Sequence, residues 1–276
     1  NNIMKKFFEI IINLICYLTL KIGKLLLLAI IAFIGYVIYQ TYWGYPKYST
    51  VGLSFKYDYE NQGYICIGLD SDYSTKQIGD LIIPKTYEGK PVIAVGEYAF
   101  AFNYSIYSVT IPAEVIKIGE GAFSGYYRET KEKMTMNINK IKIERKSQLK
   151  YIEDFAFCNC SNLKELSIPD SVEKIGNYAF SCVQTDYYMQ LEKIKFGVNS
   201  KLDTIGNYAF FNNNSLEKIK LPGSINQLGN FVFRDCKKLK EIEFNGGIAK
   251  WQQISNDTNC NIDVKCVNGT VPKTAK

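Results

Sequence analysis

From residue 78 to residue 244 the large apolar side chains return in one fixed order. Seven sets align: Ile78/Leu81/Ile83, Ile106/Val109/Ile111, Ile138/Ile141/Ile143, Leu163/Leu166/Ile168, Leu191/Ile194/Phe196, Leu216/Ile219/Leu221 and Leu239/Ile242/Phe244. The last two members of each set stand two apart, the period of a strand with one buried face, so each set predicts a short strand. Polar positions beside them are predicted to face outward: Lys140 and Lys142, Glu165 and Ser167, Lys193 and Lys195, Lys218 and Lys220, Glu241 and Glu243. Pro84, Pro112, Pro169 and Pro222 follow four of the sets and end the strands, because proline cannot donate to a ladder. A Val-x-x-Ile-Gly stretch then turns the chain, with glycines at 96, 119, 176, 206 and 229 suited to tight reversal or positive φ. An Ala-Phe step follows and is predicted to start one short helical or 3₁₀ turn leading to the next strand.

The Ala-Phe steps lie at 99, 122, 156, 179 and 209, with Val232-Phe233 as the sixth, giving spacings of 23, 34, 23, 30 and 23. A 23-residue unit with two insertions accounts for all of them. One such unit cannot bury its own apolar face, so neighbours must stack, and the period falls within that of leucine-rich repeats. The fold class expected is an α/β-type repeat, a β-rich solenoid built as a right-handed leucine-rich repeat superhelix. Its ends need caps. Phe55, Tyr57 and Tyr59 alternate before an Asn61-Gln62-Gly63 turn, and Tyr64 to Asp70 returns, which predicts a hairpin able to cover the first rung. Trp251 and Ile254 are expected to close the other end, ahead of a strand from Ile262 to Val267.

The phrases IPDSVEKIGNYAF, IPAEVIKIGEGAF and LPGSINQLGNFVF resemble the BspA-like family of bacterial and protozoan surface leucine-rich repeat proteins, over roughly residues 51 to 270. GLSFKYDYENQGYICIGLD with LIIPKTYEGKPV resembles that family's N-terminal hairpin and first repeat. FNGGIAKWQQIS with VKCVNGTV resembles its C-terminal end. The resemblance implies a cell-surface protein associated with adhesion to host matrix proteins and to other cells.

Before the repeats, the 22 residues from Leu25 to Pro46 carry no charge. As a helix they would rise about 33 Å at ~1.5 Å per residue, against roughly 30 Å of bilayer hydrocarbon. Tyr36, Tyr39, Tyr42 and Trp43 cluster at the end where aromatic rings favour the headgroup level. Lys5, Lys6, Lys21 and Lys24 precede the run, which predicts a single pass with the N-terminus cytoplasmic and the repeats outside. A cleaved signal peptide is the alternative, but the run ends in bulky residues rather than a small-x-small site. The expected division is a cytoplasmic or interfacial segment at 1–24 and a transmembrane anchor at 25–46. A linker and cap hairpin follow at 47–80, then repeats at 81–244 and a C-terminal cap and tail at 245–276.

Composition narrows the chemistry. There is no histidine, so the commonest general base and the commonest nitrogen metal ligand are both missing. With no Gly-rich phosphate loop and no nucleophile elbow, no enzyme, no cofactor and no metal site is expected. The formal net charge of +6 is too small for this length to argue for nucleic acid. Cys160 and Cys236 sit four residues after the Ala-Phe alanine or its Val replacement, where Asn213 stands in another repeat. That is the inner turn position, where a small polar group meets backbone. Cys158-Asn159-Cys160 is therefore read as structural, and Cys260 with Cys266 as a candidate pair across the C-terminal cap. Five Asn-x-Ser/Thr sites, at 103, 159, 213, 256 and 268, match the glycosylation pattern.

Two places are candidates for ligand binding. The outward lysines Lys140, Lys142, Lys193, Lys195, Lys218 and Lys220 form a basic stripe, and tyrosines Tyr126, Tyr127, Tyr187 and Tyr188 fall in or beside the insertions, which must leave a solenoid as loops. The function expected is a membrane-anchored extracellular binding protein or adhesin that takes a protein or acidic glycan ligand. The alternative is a structural or accessory module of a membrane complex.

Overall fold

The computed structural model describes residues 52–70, 78–126, 135–183, 188–254 and 262–273. The expected anchor at 25–46 and the segment before it lie outside these residues, as do Tyr127, Tyr187 and Cys260. Among the described residues no helix is long and apolar enough to cross a membrane.

The chain opens with β1 (Leu53–Asp58), β2 (Gly63–Leu69), β3 (Gly79–Ile82), β4 (Thr86–Tyr87) and β5 (Lys90–Val95). Next come β6 (Ile106–Ile111), β7 (Lys117–Ile118), β8 (Lys140–Ile143), β9 (Tyr151–Ile152), β10 (Glu165–Ile168) and β11 (Lys174–Ile175). They are followed by β12 (Lys193–Phe196), β13 (Thr204–Ile205), β14 (Lys218–Leu221), β15 (Gln227–Leu228) and β16 (Glu241–Phe244). Helix α1 (Ile248–Ile254), β17 (Val264–Cys266) and β18 (Gly269–Val271) complete the described elements.

The seven predicted apolar sets all form strands. They pair in parallel and in register, Val109 beside Ile141, Leu166 beside Ile194 and Ile219 beside Ile242, and β17 adds an eighth rung with Val264 beside Ile242. Hydrogen bonding divides this face into β3-β6-β8, β10-β12 and β14-β16-β17-β18. Most side chains on its inner side are buried, with Val109, Ile111, Leu163, Leu191, Leu216 and Ile242 at 0% exposure, while Ile78, Ile141, Ile143 and Phe196 are partly buried.

The Val-x-x-Ile-Gly stretch was expected to turn the chain and instead builds a second parallel sheet. Two-residue strands β7, β9, β11, β13 and β15 continue from β2 and β5. Ile118, Ile175 and Ile205 point into the core with 0% exposure, while Lys117, Lys174 and Thr204 beside them remain partly exposed. The glycines that close these strands do not have positive φ. Their role is close approach: a Cβ on Gly206 would stand 2.6 Å from the backbone nitrogen of Asn177 on the preceding rung.

The return segment also departs from expectation, for it is neither an α nor a 3₁₀ turn. In residues 96–103, Ala99 N–H donates to Gly96 O at 3.4 Å, Ala101 to Tyr98 at 3.1 Å and Asn103 to Phe100 at 3.3 Å. The alternate amides of Tyr98, Phe100 and Phe102 donate to the next rung, at Glu120, Ala122 and Ser124, over 2.8–2.9 Å. A 3₁₀ helix would use every amide within its own turn. Here left-handed backbone at Tyr98 (φ 51°) and Phe102 (φ 57°) makes successive tight turns, and every second amide joins a ladder between rungs. The equivalent place is left-handed in the other repeats: Gly121, Phe155, Tyr178, Tyr208 and Phe231. Left-handed backbone is costly for a bulky residue. Ring stacking at 4.8–5.0 Å along Phe155, Tyr178 and Tyr208, with Phe231 tilted against Tyr208 at 5.1 Å, helps to offset that cost.

A second, fully buried ladder runs through the Ala-Phe phenylalanines. Phe100, Phe123, Phe157, Phe180, Phe210 and Phe233 stack at centroid distances of 5.1–5.8 Å with planes within 8°. The inner turn residues behave as expected. Cys160 Sγ donates to Phe123 O at 3.5 Å, Cys236 Sγ to Phe210 O at 3.2 Å, and Asn213 Nδ2 to Phe180 O at 2.9 Å. At one end the β1–β2 hairpin caps the array by pairing in parallel with β5, so it extends the second sheet. At the other end Trp251 packs against Phe244 at 5.3 Å.

Candidate ligand-binding face

Each rung strand has only two outward positions between its buried ones, so the exposed face of the first sheet consists of two columns of side chains. From β8 to β17 these are Lys140 and Lys142, Glu165 and Ser167, Lys193 and Lys195, Lys218 and Lys220, Glu241 and Glu243, with Lys265 beyond. The fold thus brings all six candidate lysines to one surface. Parallel register sets Glu165 beside Lys193, Lys218 beside Glu241 and Lys220 beside Glu243.

The lysines are not equivalent. Lys218 Nζ lies 2.8 Å from Glu241 and 2.7 Å from Glu243, and Lys220 is 3.8 Å from Glu243. Lys265 reaches Glu241 at 3.1 Å, and Lys195 reaches Glu165 at 3.7 Å. Among the described residues Lys140, Lys142 and Lys193 make no ion pair. The stripe is therefore self-neutralised at its C-terminal end and open at Lys140 and Lys142 on its first rung and at Lys193 on its third. A spacing of one repeat, from Lys218 to Glu241 and from Lys220 to Glu243, is the sequence signal for this pairing. Read rung by rung, the same residues look like separate basic and acidic zones.

The pairing has an electrostatic signature. Hydrogen bonds from Lys218 and then Lys265 hold the Glu241 carboxyl down at about 2, against an ordinary 4.5, and the same contact raises the Lys218 ammonium. A depressed carboxyl adds stability that is complete above its unfolded value and is lost as pH falls through the folded one, here between about 4.5 and about 2. At about pH 3 Glu241 is expected to remain ionised in the wild type, and in Lys218→Met it is expected to titrate at a higher pH, with the Lys265 contact retaining part of the depression. A carbonyl-detected NMR titration reads this directly, and the same midpoint in both proteins would refute the pairing.

The tyrosines are placed differently. Tyr126 is half-buried with its ring tilted against Phe155 at 5.3 Å, beside the ladder of the return segment and not on the lysine face. Tyr188 is 51% exposed beside buried Met189. The thiols of Cys158 and Cys160 are enclosed, Cys158 against the Ser181 hydroxyl at 3.4 Å, and burial pushes Cys158 up to about 12 and Cys160 upward as well. Among the described residues no group of acidic or thiol side chains is arranged to hold a metal. Of the Asn-x-Ser/Thr sites, Asn159 and Asn213 are fully buried and bonded to backbone, so neither can accept a glycan in the folded chain.

The BspA type leucine-rich repeat region matches this chain in six copies, over residues 67–187 and 132–263. Among solved structures, the pneumococcal vaccine antigen PcpA is 28% identical with a TM-score of 0.56, over 71% of this chain and 49% of the antigen. The chain thus spans about half the length of that antigen. A leucine-rich repeat protein from T. pallidum is 22% identical, with a TM-score of 0.48 over 72% of this chain and 71% of its own. A leucine-rich cell surface protein from Faecalibacterium prausnitzii is 20% identical, with a TM-score of 0.44 over 71% and 54%. Comparison with curated proteins gives no match.

Proposed function

This chain belongs to the BspA-type leucine-rich repeat family, and from that membership we propose that it is a cell-surface binding protein whose repeat sheet engages an acidic ligand. The ligand is an acidic patch of a partner protein or an acidic glycan, and the uncharged run at 25–46 is the anchor that holds the repeats outward. Similarity to a pneumococcal vaccine antigen supports the surface placement. A repeat fold hosts many ligands, so the ligand class rests on the face itself.

One observation carries the reading. Lys140 and Lys142 on β8 and Lys193 on β12, with Glu165 and Ser167 of β10 between them, have no ion-pair partner among the described residues, while every other lysine of the columns has one. With rungs about 4.8 Å apart, Lys193 stands two rungs, or about 10 Å, from Lys140 and Lys142, on the order of the Debye length of roughly 8 Å, so a polyanion laid along the face meets all three.

Heparin serves as the probe. Replacing all three open lysines with Ser is expected to weaken binding about tenfold, from three exposed contacts of ~0.5 kcal/mol each. The loss should shrink as salt rises. Lys218→Ser with Lys220→Ser should weaken binding less, because those ammonium groups are already neutralised. Equal affinity of the triple variant and the wild type through the salt series would dispose of the reading.

A further inference from the structure

The second sheet has its own outward surface, and at its C-terminal end that surface is a groove of about 450 Å³, within the size range of small-ligand sites. Its floor is backbone. Adjacent rungs approach so closely at Gly206 and Gly229 that a Cβ would meet the preceding rung at 2.6 and 2.5 Å. Beside the floor runs a ladder of side-chain amides: Asn177 N–H donates to Asp154 Oδ1 at 2.8 Å, Asn207 N–H to Asn177 Oδ1 at 2.7 Å and Asn230 N–H to Asn207 Oδ1 at 2.7 Å. Gln253 and Ile254 at the end of α1 form one wall.

Three features select a ligand class. First, the groove presents amides that are not consumed by the fold. Asn207 Nδ2 and the side chains of Gln227 and Gln253 have no hydrogen-bond partner among the described residues, and both glutamines are exposed. An amide both donates and accepts, which suits hydroxyl groups that do the same. Second, among the described lining residues the one cation already has a carboxylate, since Lys174 Nζ lies 3.3 Å from Glu153, which Lys117 also reaches at 3.5 Å. A charged ligand gains little there. Third, β15 at the sheet edge is two residues long, and the amides of Gln227 and of the following Gly229 are already bonded back to Asp203 O and Ile205 O. An added peptide strand would find almost no ladder, because strands usually run ~5–6 residues.

We propose that this groove is a second binding site, for an uncharged oligosaccharide, held by Asn207, Gln227 and Gln253 independently of the basic face. The full chain is titrated calorimetrically with maltotetraose, cellotetraose, N-acetylated chitotetraose and mannotetraose, each at about 5 mM, where a millimolar site is largely filled. At least one is expected to bind. Gln227→Ala with Gln253→Ala should weaken it at least about fivefold, the loss of one ordinary net hydrogen bond. The triple lysine-to-Ser variant should bind it as the wild type does. Absence of binding by all four saccharides, affinity unchanged in the glutamine variant, or affinity lost in the lysine variant would each overturn the proposal. Heparin binding by the glutamine variant separates this site from the first: it stays unchanged even if no saccharide binds.

Discussion

Phe180→Ala is expected to lower the free energy of unfolding by about 3–5 kcal/mol, the range for removing a large buried aromatic side chain. The ring is 0% exposed and lies between Phe157 at 5.4 Å and Phe210 at 5.7 Å, nearly parallel to both. Truncation removes its own burial and leaves two neighbouring rings each facing a void. Relaxation is restricted, because rung spacing is fixed by hydrogen bonds from Phe157 N–H to Ala179 O and from Phe180 N–H to Ala209 O, both 2.9 Å. A loss of that size is a large part of the ~5–15 kcal/mol that holds an ordinary domain together. In a stacked array it also weakens coupling between the rungs on either side. Urea unfolding followed by tryptophan fluorescence should show a large drop in midpoint, and Phe180→Leu should recover most of it. A loss below about 1 kcal/mol would mean that the rungs close over the gap, contrary to the rigidity argued from the ladder.

Legibility in the sequence varied with how local the signal was. The rung strands were readable because each carries inward apolar side chains two apart and the same order of apolar positions recurs along the chain, at offsets of 23–32 residues. The second sheet was not, because β7, β9, β11, β13 and β15 are two residues long and have no period of their own. They exist through their neighbours. The return segment was misread as helical because Tyr178, Tyr208 and Phe231 adopt a left-handed conformation that no local preference would assign to aromatic residues. Stacking between repeats makes that conformation tenable, and stacking is a tertiary effect.

The candidate sites show the same division. That the six lysines share one face followed from strand alternation, whereas their unequal pairing depends on register across rungs. Insertions shift that register, so Glu165 and Lys195, 30 residues apart, meet as Lys218 and Glu241 do at 23. The amide groove had no signature at all. Its parts come from three repeats and from α1, and an exposed glutamine in sequence is indistinguishable from any other surface glutamine.

Asn213 is the inner turn residue whose chemistry is most exacting, and Asn213→Leu is expected to cost about 2–4 kcal/mol. The side chain is fully buried, and its Nδ2 donates to Phe180 O at 2.9 Å and Phe210 O at 2.8 Å. Leucine offers no donor. Phe210 O would keep the Cys236 thiol at 3.2 Å, but Phe180 O would lose its donor from this side chain in a place closed to solvent. Leaving a buried carbonyl unpaired costs about 1–3 kcal/mol, and the branched side chain must also displace packed neighbours. Asn213→Cys provides the discriminating comparison, because the chain itself uses cysteine at this place in Cys160 and Cys236, each with its thiol on a carbonyl of the preceding rung. That variant should lose less than half as much stability as the leucine variant. Equal losses in the two would show that volume governs this position, whereas the expected order would show that a small donor facing the previous rung is the requirement. The same order would explain why asparagine and cysteine share the site despite their different polarity.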